Sequence, residues 1–220
     1  MSAVTRDFGW SAALRQRIRT QAWLKALGNT VFLIVFFQLY LGIQKHPVFE
    51  VTQIPASAVD DWIGFQPWTI GLYLSLWVYT ALPVALQLDG RRLFRYSVAM
   101  TALCSFGLLV FFFWPTSVSE AVGVRSGGSP LFSMLYAVDN NGNACPSLHV
   151  AASVLSGLWL EAILRKTGSP TWLRLVNLLW CLGIVFSTMG TKQHMLLDVL
   201  SGTVLGVVVG WISLRRAGTV

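Results

Sequence analysis

Apolar residues fall in long unbroken runs, separated by short polar connections, rather than in the alternation of a half-buried strand. The runs cover approximately residues 29–43, 67–88, 96–114, 147–164, 172–189 and 195–214. A helix needs about 20 such residues to cross a hydrocarbon core of roughly 30 Å. The pattern therefore predicts an all-α fold, a six-transmembrane-helix bundle over residues 28–214. A basic amphipathic segment at 1–27 and a short tail at 215–220 flank it. Within the third connection, residues 115–146, an apolar patch from Leu131 to Tyr136 predicts a short interfacial helix, beside Gly127-Gly128 and Asn140-Asn141-Gly142-Asn143. Connections of that length are usually either functional or disordered.

An even number of spans puts both termini on one side, and the basic residues say which. Arg6, Arg15, Arg17, Arg19 and Lys25 precede the first span. Arg91, Arg92 and Arg95, then Arg165, Lys166 and Arg174, then Arg215 and Arg216 follow on the same side. Against these thirteen, the other side holds three: Lys45, Arg125 and Lys192. Positive residues concentrate on the cytoplasmic side of membrane proteins, so both termini are expected there, with the first, third and fifth connections outside. Ala56-Ser57-Ala58 resembles a small-residue cleavage site but lies too far past the first run for normal cleavage, so that run is expected to remain as a span. These features suit a bacterial inner cell membrane.

Composition narrows the classes further. With 55% hydrophobic and 11% charged residues and a mean hydropathy of +0.62, the chain is not a soluble domain. Its net charge of +7 is scattered between apolar runs, which argues for membrane topology and against nucleic acid as a partner. The basic N-terminal segment, with Trp10 and Trp23, suits contact with anionic membrane lipids. Of three cysteines, Cys104 and Cys181 lie inside apolar runs, which excludes a disulfide framework.

Two polar clusters carry the chemistry. In Asn143-Ala144-Cys145-Pro146-Ser147-Leu148-His149-Val150, a proline suited to a first helical position predicts a helix start near Pro146. Ser147 and His149 would sit in its first turn, where free N–H groups and the helix dipole favour a phosphate. The second cluster, Ser187-Thr188-Met189-Gly190-Thr191-Lys192-Gln193-His194, is followed by Asp198 inside the last run. The i, i+4 spacing of His194 and Asp198 predicts one helix face. A carboxylate on one imidazole nitrogen fixes the tautomer and leaves the other nitrogen basic.

Both clusters lie at the outer ends of their helices. Two histidines, one oriented by Asp198, with Lys192 and Arg125 as cations, suit phosphoryl transfer through a phosphohistidine. His194 would attack phosphorus and His149 would protonate the departing oxygen. Tight ligand spacing for zinc is absent, so neither metal nor cofactor is expected. Two other classes compete: a small transporter with Asp198 lining a path, and a structural membrane protein.

Pro146-Ser147-Leu148-His149 and Ser187-x6-His194-x3-Asp198 resemble the second and third signature motifs of the phosphatidic acid phosphatase type 2 superfamily. The resemblance implies a six-helix membrane enzyme that hydrolyses or transfers lipid phosphate groups, with a phosphorylated lipid as substrate. It implies His194 as nucleophile, Asp198 as its orienting partner, His149 as general acid and Ser147 as a phosphate ligand. Two features depart from the pattern. Thr188 stands where the third motif usually has arginine, and the first motif's lysine and Arg-Pro are missing in that form. Asp139, Asn143 and Thr191-Lys192-Gln193-His194 resemble the subgroup that includes inositol phosphorylceramide synthases. Lys192 and Arg125 are the candidates to supply the missing positive charge, while a degenerate site is the alternative that the departures raise.

Overall fold

The computed structural model describes residues 9–118, 131, 132, 135 and 142–216. Arg125, Asp139, the Gly127-Gly128 pair and most of the expected interfacial helix lie outside the described residues, although Leu131, Phe132 and Leu135 are helical. A short helix α1 (Trp10–Arg19) precedes the long α2 (Ala22–Lys45). A strand β1 (Thr52–Ile54), helix α3 (Ala58–Ile63) and a 3-10 turn (Pro67–Thr69) lead into α4 (Ile70–Leu74) and α5 (Leu76–Ala85). Helix α6 (Gly90–Phe113), strand β2 (Thr116–Val118) and helices α7 (Leu148–Lys166), α8 (Thr171–Gly190) and α9 (Leu196–Arg216) complete the order.

Among the described residues six helices are long and apolar enough to cross a membrane, and they coincide with the six runs. The second is composite: the 3-10 turn, α4 and α5 together cover Pro67–Ala85, with a break at Ser75 and Pro83 inside α5 near its end. Polar side chains tie the helices together, as they do where every neighbour is equally apolar. The Tyr79 hydroxyl donates to Asn177 Oδ1 at 2.7 Å while Asn177 Nδ2 donates to the Gly157 carbonyl at 3.1 Å, which joins α5, α8 and α7. Trp159 Nε1 donates to Ser213 Oγ at 3.0 Å, joining α7 to α9.

The closest packing is between α7 and α9. Gly202, Gly206 and Gly210 recur every four residues on one face of α9. A Cβ on Gly202 would collide with the Ser147 carbonyl oxygen, and one on Gly206 would lie 2.6 Å from that of Ala151. Small residues at this spacing let backbones approach closely. Asp198 precedes Gly202 by the same four residues, so the stripe that docks α9 on α7 also aims Asp198 at the start of α7.

The odd-numbered connections meet at one end. β1 pairs in parallel with β2, in register Thr52 with Thr116. Thr116 in turn accepts from Ala144 N and, through its hydroxyl, from Cys145 N. At the opposite end Arg15 and Arg19 are exposed, whereas two other N-terminal basic residues depart from the surface role expected of them. Arg17 and Lys25 are buried. The Lys25 ammonium donates to the carbonyls of Arg17, Ala85 and Gln87 at 2.7, 2.9 and 2.7 Å, and Arg17 donates to Leu86 at 3.2 Å. Burial, and then the neighbouring Arg92, hold the Arg17 guanidinium below its ordinary pKa. The bare carbonyls at the ends of α1 and α5 explain why cations are drawn inward.

Candidate active site

Ser147 is the cap of α7, not its second residue. Its hydroxyl accepts from Val150 N at 3.2 Å and the helix begins at Leu148, so the expected start at Pro146 is displaced. A serine oxygen that satisfies a first-turn N–H outcompetes a proline that only tolerates the position. The Ser147 N–H donates to the Asp198 carbonyl at 3.1 Å, which pins the start of α7 to the start of α9. Ser147 is fully buried.

One residue into α7, His149 turns toward the loop between α8 and α9. Its Nδ1 lies 3.2 Å from His194 Nε2, with ring centroids 5.4 Å apart. Its Nε2 lies 2.9 Å from the Tyr73 hydroxyl of α4. The two histidines expected to converge therefore do so, and their rings are in direct contact.

His194 does not share a helix with Asp198, as the i, i+4 spacing predicts. It lies two residues before α9, in a loop where Lys192 adopts φ +58° and the N–H groups of Gln193 and His194 both donate to the Thr188 carbonyl. The loop nevertheless brings His194 Nδ1 to 3.6 Å from Asp198 Oδ2. That is close enough for charge attraction and longer than a hydrogen bond. Oδ2 instead accepts from Met195 N at 2.9 Å, so the wholly buried Asp198 also caps α9. One order of protons satisfies the chain of contacts. With the His194 proton on Nδ1 facing Asp198, its Nε2 accepts from His149 Nδ1–H, and His149 Nε2 accepts from Tyr73.

The remaining candidates are placed differently. Lys192 is buried, and its ammonium donates to the Asp60 carbonyl at 2.5 Å; it would have to exchange that bond to reach a phosphate. Thr188, at the position where arginine was expected, is buried and donates its hydroxyl to Val185 O at 2.8 Å. Asn143 adopts the left-handed φ of +53° expected of a loop asparagine and donates from Nδ2 to Tyr40 O at 3.0 Å. Among the described residues no group of three or more His, Cys, Asp or Glu converges as metal ligands would.

Two residues of the site region escaped the sequence reading. Tyr73 is buried beside His149, its ring centroid 5.0 Å away. Asp60 accepts from Ser57 N and Ser57 Oγ through Oδ2, and from Leu196 N at 2.9 Å through Oδ1, which links α3 to the start of α9. The Ala56-Ser57-Ala58 segment is thus a helix cap with its reciprocal acid, Ser57-x-x-Asp60. The small residues that suggested a cleavage site are the start of α3.

A family model, described as the PAP2 superfamily, matches residues 99–219. That is more than half of the chain and includes both histidines and Asp198, and the protein belongs to this superfamily. Its members are phosphatases and phosphotransferases. No curated protein and no solved structure matches the chain.

Proposed function

We propose that this protein is an integral membrane lipid phosphatase or phosphotransferase that works through a phosphohistidine at the extracytoplasmic face. The observation that carries the reading is the contact between His149 and His194 beside Asp198. His194 Nε2 attacks phosphorus and forms the N–P bond as the bond to the lipid oxygen breaks. His149 gives that oxygen its proton. His149 then takes a proton from water or an acceptor hydroxyl, whose oxygen attacks phosphorus and releases His194. Asp198 steadies the imidazolium form of His194. No metal is needed in this scheme.

At 3.2 Å the two nitrogens leave no room for a phosphoryl group between them, so substrate binding must part the rings. Ser147 and the first-turn N–H groups of α7 contribute phosphate contacts once it does, and Lys192 and Arg125 supply positive charge. Asp139, Asn143 and the stretch Thr191-Lys192-Gln193-His194 support the inositol phosphorylceramide synthase-like subgroup. The distribution of basic residues, thirteen against three, supports an orientation with the histidine end outside.

A second reading, a family member that has lost activity, draws on Thr188 and on the Lys192 ammonium already bound to Asp60. One experiment separates the two. The protein is purified in detergent and offered a panel of lipid phosphates with EDTA present. Phosphate release that persists in EDTA and vanishes in His194→Ala supports the enzyme. No release from any lipid, with identical behaviour of wild type and variant, supports the inactive form.

A further inference from the structure

Beside the histidine pair opens a cavity of about 790 Å³, within the range of small-molecule sites. Its walls come from α2, α4, α5, α6 and the first turns of α7, and they are almost wholly apolar: Phe32 and Phe36 on one side, Trp77 and Met100 on others. Tyr73 and His149 both stand in its wall at one end, and Lys25 and Gly90 at the other. The lining residues of α2 run from Leu24 to Leu41 and those of α6 from Gly90 to Cys104. At 1.5 Å per residue these stretches are about 25 Å and about 21 Å long. One leaflet of a membrane offers about 15 Å, half of the hydrocarbon core.

We propose that this cavity takes the hydrocarbon chain of the substrate lengthwise, with the phosphate at His149 and the chain end toward Lys25, and that it selects chains longer than one leaflet is deep. This rests on the phosphoryl-transfer reading for the position of the phosphate. Three observations fix the occupant. Tyr73 and His149 are lining residues and His194 is not, so a chain that fills the cavity meets the histidine pair at His149. At the far end the Lys25 ammonium is committed, because an ammonium has three donors and those of Lys25 already serve three carbonyls. One wall is the single helix α2, of whose apolar window only 6% is buried against the rest of the protein, which leaves the surrounding hydrocarbon one helix away.

The wall can be tested without touching the chemistry. Gly28 lies on it, and a Cβ there would meet nothing within 4 Å, so Gly28→Trp fills the inner half of the cavity from a position with open space. Ser97→Phe narrows the same stretch from α6. In mixed micelles at equal mole fraction, n-alkyl monophosphates from octyl to docosyl are compared for phosphate release. Wild type is expected to keep gaining in kcat/KM beyond the octadecyl length, by about fivefold or more over the dodecyl compound, as added carbons gain wall contacts. Both variants are expected to lose that gain, read within each protein as the ratio of kcat/KM on docosyl phosphate to that on octyl phosphate. Native mass spectrometry of His194→Ala with the same compounds reads binding without turnover. Chain-length-dependent binding that Gly28→Trp removes, with no release from any compound, keeps the channel and overturns the enzymatic reading. Release that is indifferent to chain length and to both variants overturns the channel and leaves an ordinary membrane lipid as the occupant of the groove.

Discussion

Helices α7 and α2 are both long and apolar enough to cross a membrane, yet 56% of the apolar window of one is buried inside the protein and 6% of the other. The difference lies in what each presents to its neighbours. The first turns of α7 lie against the glycine stripe of α9, and its later turns exchange hydrogen bonds with Asn177 and Ser213. Side chains of α2 such as Ile34, Val35 and Leu39 point outward, and no small-residue face brings it close to another backbone. The histidine pair stands on the side where α7 and α9 are closely packed, and α2 forms another wall of the apolar cavity. A histidine pair whose rings part to admit a phosphoryl group needs fixed supports around it to keep both aimed at phosphorus, whereas a path for a lipid needs a wall that can yield.

The largest expected effect sharpens the rigid side. Asp198→Asn keeps an oxygen for the Met195 N–H and removes the charge facing His194 Nδ1. A loss of about 10³–10⁴-fold in kcat for phosphate release is expected, the scale seen when the orienting acid of a serine-protease triad is amidated. A loss below about tenfold would leave Asp198 as a helix cap alone. Next comes Gly202→Ala. Its Cβ meets the carbonyl oxygen of Ser147, so α9 must move off α7 and carry Asp198 with it. The expected cost is about 1–3 kcal/mol of stability and about 100-fold in activity, measured by thermal unfolding in detergent and by phosphate release.

Tyr73→Phe is smaller and tests the seam between the two sides. The ring stays and the hydroxyl 2.9 Å from His149 Nε2 goes. One hydrogen bond of about 0.5–1.5 kcal/mol corresponds to a decrease of up to about tenfold in kcat. The pH profile of kcat should shift with it, because the lost partner helps set where His149 carries its proton. A change in thermal stability with an unmoved profile would make Tyr73 a packing residue only.

The bundle was legible because a span needs only length and hydropathy, and both are written locally. The histidine pair was legible for a similar reason: His149 and His194 stand among short polar stretches at the same end of alternating spans, so topology alone brings them together. What stayed hidden depends on tertiary contacts. Tyr73 is one aromatic residue in an apolar run, and nothing in its neighbours marks the imidazole it meets. The helix predicted to hold both His194 and Asp198 is interrupted because Thr188 caps α8 through its carbonyl and Asp198 caps α9. Spacing predicted the proximity correctly and the element wrongly. Arg17 and Lys25 counted correctly toward one face, yet their burial follows from bare carbonyls on α1 and α5 that no local pattern shows. Lys192 illustrates the converse, since a cation next to a histidine in sequence donates to Asp60 of α3 instead.

The smallest effect offers the sharpest test of the comparison, because the same substitution should change sign between α2 and the face of α9 that packs on α7. Gly42 lies on α2, and a Cβ there would meet nothing within 4 Å. Gly42→Ala therefore adds no collision, and it removes backbone freedom that glycine must give up in a helix. A stabilisation of no more than about 1 kcal/mol is expected, with phosphate release unchanged, where Gly202→Ala destabilises. Thermal unfolding of the two variants beside wild type reads both signs in one experiment. If Gly42→Ala also destabilises and slows turnover, α2 is packed against a surface that this arrangement leaves open, and the contrast between a held and a yielding wall fails with it.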